Sequence, residues 1–387
     1  MKILTVSQQF TLNSVRGTVK HQYSLLKGLT KKGHRCIVYT TATVADDLDE
    51  EIDGITVKRY NPLFSHGHYI VTPHMLKDII REQADIIYVG SYRNFQTDVG
   101  SLASKLKRVP LVLTTHGSLI LYRTLSKSWI KAFPYWIYDL LTFKFSIRFA
   151  TRIVVTSEQE AAEALELGIP MHKITLIPHG IEIPHETLIE SKRTSKRKIL
   201  LFVGRLTPQR NLEFLLQAFK LIIEKEPKVR LIIVGEELPS HYVKSELGYK
   251  IRLVRLCEEM GILDNIIFTG WINDDELCKA YGSCDVFVYT SLYDNFGYAL
   301  AEAASFGKPI ISTRVGIAPD LIGSDEGGIL VEHNDIIGLK DAVLKILSDD
   351  DLYRSMEETI IKRVRKYSLD AMVEQYEKLF EELTNSR

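Results

Sequence analysis

The chain has 387 residues, which is more than one hydrophobic core usually supports, so the sequence predicts two domains. Hydrophobic residues make up 45% of the chain and charged residues 25%, which is ordinary for a soluble globular protein. The 49 basic residues equal the 49 acidic ones, so no overall positive field recruits nucleic acid, and anions must bind at local patches.

The cysteines favour a reducing compartment. They show no C-x-x-C pattern and fit reduced thiols of a cytoplasmic protein better than a disulfide framework or a zinc site: Cys36, Cys257, Cys278 and Cys284. The first predicted strand begins at residue 3, which leaves too short a stretch for a signal peptide. No apolar run approaches the roughly 18 residues of a membrane span. We therefore expect a cytoplasmic protein that is not integral to a membrane.

Strands and helices alternate through the first half of the chain. Strands are predicted at residues 3–6, 35–39, 85–89, 111–114, 153–157 and 174–177. This order is typical of a doubly wound parallel sheet, whose ligands bind at the carboxyl ends of the strands. His116 follows the fourth of these strands, where a histidine fits a loop cap as well as a ligand contact.

Two short motifs are compatible with a metal, but neither is predicted to bind one. Asp47 and Asp49 lie in an acidic loop with no strand leading directly into it, which favours a solvated turn. His66 and His68 flank a glycine in a polar loop, with no further ligand spaced near them. The sequence therefore predicts no metal site.

Residues 129–149 form an amphipathic segment with a wide apolar face and a narrow polar face at helical spacing. Two interpretations stay open. The apolar face packs against the sheet, or it meets a lipid-linked acceptor or the membrane surface together with Lys144 and Arg148.

The second half restarts the alternation after a polar, basic stretch at residues 184–198, which we interpret as a linker. An apolar strand at 199–203 leads into a loop that carries Arg205 and Arg210. Two guanidiniums at a strand end, beside a helix start, can bind a diphosphate bidentately. The loop therefore predicts a phosphate site.

A strand, loop, helix and strand follow one another between residues 286 and 313. The loop carries Asp294, and the helix after it carries Glu302. The first amides of this helix suit an anion such as a diphosphate, because the N–H groups of a helix start have no partner within the helix. These amides belong to Phe296, Gly297, Tyr298 and Ala299.

These motifs resemble those of the retaining glycosyltransferases of family 4, the glycosyl transferases of group 1. Asp294 and Glu302 match the E-x7-E region of that family, with Asp in place of the first Glu. The loop from Gly204 to Arg210 is similar to its G-R-x-x-P-x-K motif, with Arg in place of Lys. Pro178-His179-Gly180 resembles the end of its N-terminal domain, where Asn is common at the middle position.

The resemblance implies the α/β GT-B fold, in which two Rossmann-like, doubly wound parallel-sheet domains face each other across a cleft. We expect an acceptor-binding domain at residues 1–183, the linker at 184–198, and a nucleotide-sugar-binding domain at 199–366. Residues 367–387 would form a C-terminal helix that returns to the first domain.

The resemblance also implies roles for the candidate residues. Arg205, Arg210 and the amides that begin at Phe296 would stabilise the leaving diphosphate without a metal. Glu302 would bind the ribose, whereas Asp294 and His116 would bind the sugar. Main-chain groups would contact the donor at two further places: Gly17 at the phosphates and Ile272 at the base. The neighbouring Arg16 replaces a glycine that is usual in the family.

The implied function is transfer of a sugar from a UDP- or GDP-sugar to a hydroxyl of a glycan or lipid-linked acceptor, with retained configuration and no cofactor. Such a step would serve the biosynthesis of cell-envelope polysaccharide, and the protein would be cytoplasmic or peripheral at the cytoplasmic membrane face. Two alternatives remain open. Sugar-nucleotide 2-epimerases share the fold, and the departures at Arg16 and Asp294 are compatible with a nucleotide-sugar-binding protein that has lost catalysis. The sequence predicts neither the base, the sugar, the acceptor nor the oligomeric state.

Overall fold

The structure is a computed structural model. It describes residues 1–11, 17–43, 48–66, 69–116, 119, 137, 144–184, 198–237 and 248–385. The chain divides into two compact units. The first unit comprises Met1–Gly180 together with Leu369–Arg387, and the second comprises Ile181–Ser368.

The strands of the described residues are numbered in chain order. They are β1 (Lys2–Val6), β2 (Arg35–Thr41), β3 (Asp49–Ile52), β4 (Ile55–Tyr60), β5 (Phe64–His66), β6 (Tyr69–Val71), β7 (Ile86–Val89), β8 (Leu111–Thr114), β9 (Arg152–Val155), β10 (Ile174–Leu176), β11 (Ile199–Val203), β12 (Arg230–Val234), β13 (Ile266–Gly270), β14 (Val286–Tyr289), β15 (Ile310–Thr313) and β16 (Gly328–Val331).

The α-helices of the described residues are numbered in the same way. They are α1 (Gly17–Lys31), α2 (His74–Arg81), α3 (Phe95–Lys107), α4 (Lys144–Phe149), α5 (Glu158–Glu166), α6 (Leu212–Lys225), α7 (Tyr249–Met260), α8 (Asp274–Ser283), α9 (Tyr298–Ser305), α10 (Ala318–Ile322), α11 (Ile336–Ser348), α12 (Asp350–Val364) and α13 (Leu369–Asn385).

The first unit is built on a sheet with the strand order β10-β9-β8-β7-β1-β2-β4-β3. All neighbouring strands of this sheet are parallel except β3 and β4, which are antiparallel. Successive residues of β1 lie in two different cores, since Ile3 packs in one buried cluster and Leu4 in another. Both faces of the sheet are therefore covered, as is usual for a parallel sheet.

Helix α13 belongs to the first unit. Its buried side chains recur at helical spacing and join the cluster that contains Ile3, because an amphipathic helix must bury its apolar stripe. They are Met372, Val373, Tyr376, Leu379, Phe380 and Leu383. Helix α1 approaches α13 so closely at Gly28 that a Cβ atom there would lie 2.4 Å from Cγ2 of Val373. The predicted return of the last helix to the N-terminal part is confirmed.

The second unit is built on a parallel sheet with the order β13-β12-β11-β14-β15-β16. β11 is the pivot of this order: the chain adds β12 and β13 on one side of it and then β14, β15 and β16 on the other. The carboxyl ends of β11 and β14 therefore flank the topological switch point, where ligands of such sheets bind. The predicted α/β fold of two doubly wound sheets is confirmed.

The structure differs from the sequence-based expectation at the acidic segment near Asp49. The predicted turn contains an edge strand, β3, which pairs with β4. Acidic residues are disfavoured in strands, so the local sequence gives little sign of this pairing. The side chains of Asp49, Glu50 and Glu51 are exposed, as expected of a solvated edge.

Three further predictions fall partly outside the described residues. These are the amphipathic segment at 129–149, of which 137 and 144–149 are described, the linker interior at 185–197, and the glycine and histidine after His66. Among the helices of the described residues, none combines the length and apolar character that spanning a membrane would require.

Candidate functional site

Two loops meet at the switch point of the second unit and are tied together by hydrogen bonds. The loop after β11 carries Gln209 and Arg210, and the loop after β14 carries Thr290 and Leu292. The Leu292 amide donates to the carbonyl of Gln209 at 2.8 Å, and the Thr290 hydroxyl donates to the carbonyl of Arg210 at 3.0 Å. The backbone around Arg210 is therefore fixed by a strand end distant in sequence.

The guanidinium of Arg210 is held through a single nitrogen, Nη1. This nitrogen donates to Oγ of Ser291 at 2.9 Å, to Oδ2 of Asp294 at 2.6 Å and to the hydroxyl of Tyr289. Burial alone would lower the pKa of Arg210, but the contact with the Asp294 carboxylate outweighs it, and the pKa lies above its ordinary value. Among the described residues, Nη2 and Nε of Arg210 make no hydrogen bond, so a permanent cation presents donors to a ligand.

Asp294 is engaged through both carboxylate oxygens. Besides Arg210, Oδ2 accepts from the hydroxyl of Tyr289, and Oδ1 accepts from the amide of Asn295 at 2.8 Å. Burial, then the Asp294 carboxylate, raise the pKa of Tyr289 well above its ordinary value, so this hydroxyl keeps its proton. Asp294, in the loop after β14, thus orients the guanidinium of Arg210, in the loop after β11.

Arg205 lies at the same sheet edge but points into solvent. It is exposed, and its side chain has no ion pair or hydrogen bond with any described residue. Its loop is braced against the loop after β12, since the Gly204 amide donates to the carbonyl of Val234 at 3.0 Å. A Cβ atom at Gly235, where φ is 137°, would lie 1.9 Å from the carbonyl oxygen of Gly204, so only glycine permits this approach.

Helix α9 starts at the same edge without a side-chain cap. Gly297 takes the N-cap position with φ 85°, a conformation that favours glycine. The carbonyl of Phe296, just before it, accepts from the amide of Ile317 at 3.0 Å, which fixes the approach of the chain to the helix. Tyr298 and Ala299 form the first turn. An uncapped helix start offers amide donors and a partial positive charge to an anion.

Glu302 lies in the next turn of α9 and is partly buried. Its Oε2 accepts from the hydroxyl of Tyr281, in α8, at 2.9 Å. Burial, then Glu302, raise the pKa of Tyr281 well above its ordinary value, so the hydroxyl remains a donor. The orientation of this carboxylate is therefore set from a neighbouring helix.

Ile272 follows β13, the edge strand two places from β11 in the sheet. The amide of Gly235 donates to the carbonyl of Gly270 at 2.9 Å, which joins the loops after β12 and β13. The structure thus brings most of the predicted residues to one sheet edge in the second unit. They are Arg205, Arg210, Ile272, Asp294, Phe296, Gly297, Tyr298, Ala299 and Glu302.

The two remaining candidates lie in the first unit. Gly17 is the first residue of α1, and its neighbour Arg16 lies outside the described residues. His116 follows β8 with φ 46° and packs against two further histidines, His21 and His179. Burial, then His179, lower the pKa of His116 well below its ordinary value, so its imidazole is neutral.

Sequence reasoning missed the groups that position these candidates. Tyr289 and Tyr281 lie in stretches that look like ordinary core, and Ser291 is one of many loop serines. His21 sits inside a helix with no motif around it. One sequence signal could have identified Tyr289 as a positioning residue. It is the last residue of a buried strand and directly precedes a predicted ligand loop.

Comparisons with known proteins agree with this geometry. The family model described as glycosyl transferases group 1 matches residues 185–363, and the model described as glycosyltransferase family 4 matches residues 15–184. These two models define a glycosyltransferase with the GT-B fold. The chain belongs to glycosyltransferase family 4, and the resemblance seen in its motifs is confirmed.

Relatives and solved structures cover most of the chain. An uncharacterized glycosyltransferase of Methanocaldococcus jannaschii is 28% identical over 374 residues, covering 90% of each chain. The UDP-Gal:alpha-D-GlcNAc-diphosphoundecaprenol alpha-1,3-galactosyltransferase of Escherichia coli is 27% identical over 316 residues, covering 76% of each. The crystal structure of Anabaena HepE in complex with UDP matches with a TM-score of 0.79 at 19% identity, covering 99% of this chain and 100% of HepE. This last likeness concerns the fold.

Proposed function

We propose that the protein is a retaining glycosyltransferase that moves a sugar from a UDP- or GDP-sugar to a hydroxyl of a glycan or lipid-linked acceptor, without a metal. The observation that carries the proposal is the Arg210 guanidinium, fixed at the switch point beside the exposed Arg205 and the uncapped start of α9. Relatives support the substrate class, because the E. coli protein is named for a UDP-sugar donor and a lipid-linked acceptor.

The arrangement suits departure of a diphosphate. When the bond between the anomeric carbon and the donor oxygen breaks, negative charge develops on the diphosphate. Donors already in place for that charge stabilise the transition state more than the ground state. Arg210, Arg205 and the first amides of α9 supply such donors without a divalent cation, and Arg210 needs no reorganisation because Nη1 is already anchored.

The other candidates complete the donor site. Glu302, oriented by Tyr281, accepts hydrogen bonds from the ribose hydroxyls, which is a pairing that carboxylates make well. Asp294 contacts the sugar hydroxyls and also positions Arg210. Ile272 would contact the base, Gly17 the phosphates and His116 the sugar, as the family resemblance implies.

The proposed biological setting is the assembly of cell-envelope polysaccharide from a cytoplasmic donor. The E. coli relative supports it, since its named acceptor is a diphosphoundecaprenol-linked sugar. The direct test begins with a thermal-shift screen of UDP-, GDP- and ADP-sugars. The stabilising donor is then incubated with chelator present and with glycan and undecaprenyl-diphosphate-linked acceptors, and the anomeric configuration of the product is read by NMR.

The expected result is a product with retained configuration whose yield does not fall with chelator. Conversion of the donor to a second nucleotide sugar without acceptor would instead identify an epimerase. Donor binding without turnover on any acceptor would identify a binding protein. Inverted configuration would overturn the retaining assignment while leaving the donor site intact.

A further inference from the structure

Three histidines from separate parts of the first unit converge on one point. His21 lies in α1, His116 follows β8, and His179 follows β10. One ring nitrogen from each lies within 4.8 Å of the other two. Nδ1 of His21 and Nδ1 of His179 are 2.8 Å apart, and the His116 ring stacks on the His179 ring with centroids 5.1 Å apart.

Two members of the cluster are buried, and the third, His116, is partly buried. His21 and His179 are almost fully buried. Both ring nitrogens of His116 are shielded from solvent and have no hydrogen-bond partner among the residues that the structure describes. Buried polar atoms without partners are rare and call for a specific explanation, of which a bound ion is one. Neutral imidazole is also the commonest metal ligand in proteins.

The far nitrogen of His21 is held as in a metal-binding histidine. Nε2 of His21 faces the hydroxyl of Tyr376 at 3.4 Å and that of Tyr88 at 3.5 Å. The Tyr376 hydroxyl is itself 2.9 Å from Oγ1 of Thr114. Ligating histidines usually have their second nitrogen hydrogen-bonded in this way, which directs the other nitrogen at the ion. Nδ1 of His21 therefore points into the cluster.

We propose that His21, His116 and His179 bind one divalent transition-metal ion of the zinc class. Zinc–nitrogen bonds of about 2.0–2.1 Å place tetrahedral ligand nitrogens roughly 3.3 Å apart. The observed separations, from 2.8 Å to within 4.8 Å, bracket that value. The His116 and His179 rings are stacked at 19°, so binding requires one of them to rotate until a nitrogen of each ring points at the ion. The ion takes the place of the proton between His21 and His179, and its fourth position is filled by water or another small ligand.

The site has a consequence that rests on the proposed function. Coordination commits a ring nitrogen of His116 to the ion and removes it from the sugar, so zinc inhibits transfer. His179 is the member chosen for substitution, because the motif that Pro178-His179-Gly180 resembles commonly has Asn at this position. The substitution His179→Asn therefore removes a ligand while retaining a polar side chain.

The test uses untagged, chelator-treated full-length protein titrated with Co²⁺ and followed by visible d–d absorption. We expect one Co²⁺ per chain with the intense bands of tetrahedral coordination, which Zn²⁺ then displaces. In H179N these bands should be lost or the affinity lowered by more than about tenfold. The control H333N removes an exposed histidine of the second unit and should bind as the wild type does.

Bands that persist unchanged in H179N, or that disappear in H333N, would overturn the site. If H179N does not fold, X-ray absorption of the zinc-loaded wild type decides, since it must report three imidazole nitrogens at about 2.0 Å. A different set of zinc ligands would contradict the proposal. Sugar transfer by the wild type and by H179N is then measured with and without Zn²⁺. We expect Zn²⁺ to inhibit the wild type but not H179N. Zinc binding without inhibition would contradict only the effect on transfer and not the metal site.

Discussion

Oδ2 of Asp294 accepts a hydrogen bond from Nη1 of Arg210 at 2.6 Å, across 84 residues of sequence. The two side chains are 19% and 14% exposed, so the pair is mostly withdrawn from water. Removing one member of such a pair leaves the other as a buried charge without compensation. The direction of the guanidinium therefore depends on a residue that the motif alone assigns to the sugar.

The first prediction concerns this pair. Asp294→Asn keeps the shape of the side chain but removes its charge, so Arg210 loses its anchor. We expect unfolding to become easier by about 1–3 kcal/mol, because a buried donor is left poorly satisfied. We expect kcat to fall more than KM rises. Urea denaturation and steady-state kinetics with the identified donor measure both effects.

The matched control is an exposed pair in the same unit. Arg314 and Glu332 are 3.3 Å apart, with 60% and 74% exposure. Glu332→Gln should change stability by less than about 0.5 kcal/mol and leave kcat unchanged, since exposed pairs contribute little. Equal effects of D294N and E332Q would show that the Arg210 contact does not position the guanidinium.

The second prediction concerns Glu302. Glu302→Ala should weaken nucleotide binding roughly 10- to 100-fold by isothermal calorimetry, the loss expected for hydrogen bonds to a charged group. Tyr281→Phe leaves the carboxylate in place but frees its orientation, so the loss should be less than about tenfold. Unchanged affinity in a folded E302A variant would mean that this carboxylate is only structural.

How much of the fold and of the candidate site could be predicted from sequence depends on how far apart in the chain the interacting residues are. The strands and the switch-point loops follow from local signals, namely apolar runs such as 199–203 and the glycines and prolines that end them. The partners of Arg210 do not, because Tyr289 and Ser291 are far away in the chain and carry no motif. The approach of His21 to His179, across 158 residues, is equally invisible in a single sequence.

The third prediction tests the close approach at Gly235. Gly235→Ala should cost about 3 kcal/mol of stability, because φ 137° is strained for alanine and the added Cβ atom meets the carbonyl of Gly204. The loop that carries Arg205 and Arg210 would shift, so donor binding should weaken as well.

The control Gly261→Ala separates the backbone strain from the steric contact. Its φ is 69° and nothing lies within 4 Å of the new atom, so its cost should be about 1 kcal/mol. Equal costs in urea denaturation would mean that the contact with Gly204 relaxes freely.

The last prediction concerns Glu160, a fully buried carboxyl in α5. Its oxygens accept from the Thr156 amide at 2.6 Å and from the Thr115 hydroxyl at 2.5 Å, yet burial dominates and raises the pKa to about 7 from an ordinary value of 4.5. The folded state therefore holds this proton more tightly than the unfolded state. The stability that protonated Glu160 adds to the folded state is fully present below about pH 4.5 and is lost as the pH rises through about 7.

A neutral side chain removes this dependence. The stability of Glu160→Gln relative to wild type should rise by up to roughly 3 kcal/mol between about pH 5 and pH 8, since each pKa unit corresponds to about 1.4 kcal/mol. Urea denaturation at the two pH values measures the difference, in which the other titrating groups cancel. Glu158→Gln, exposed on the same helix, should show no such change. A parallel response of E160Q and wild type would mean that Glu160 is already ionised in the folded protein at the lower pH, held by its three hydrogen bonds from Thr115 and Thr156.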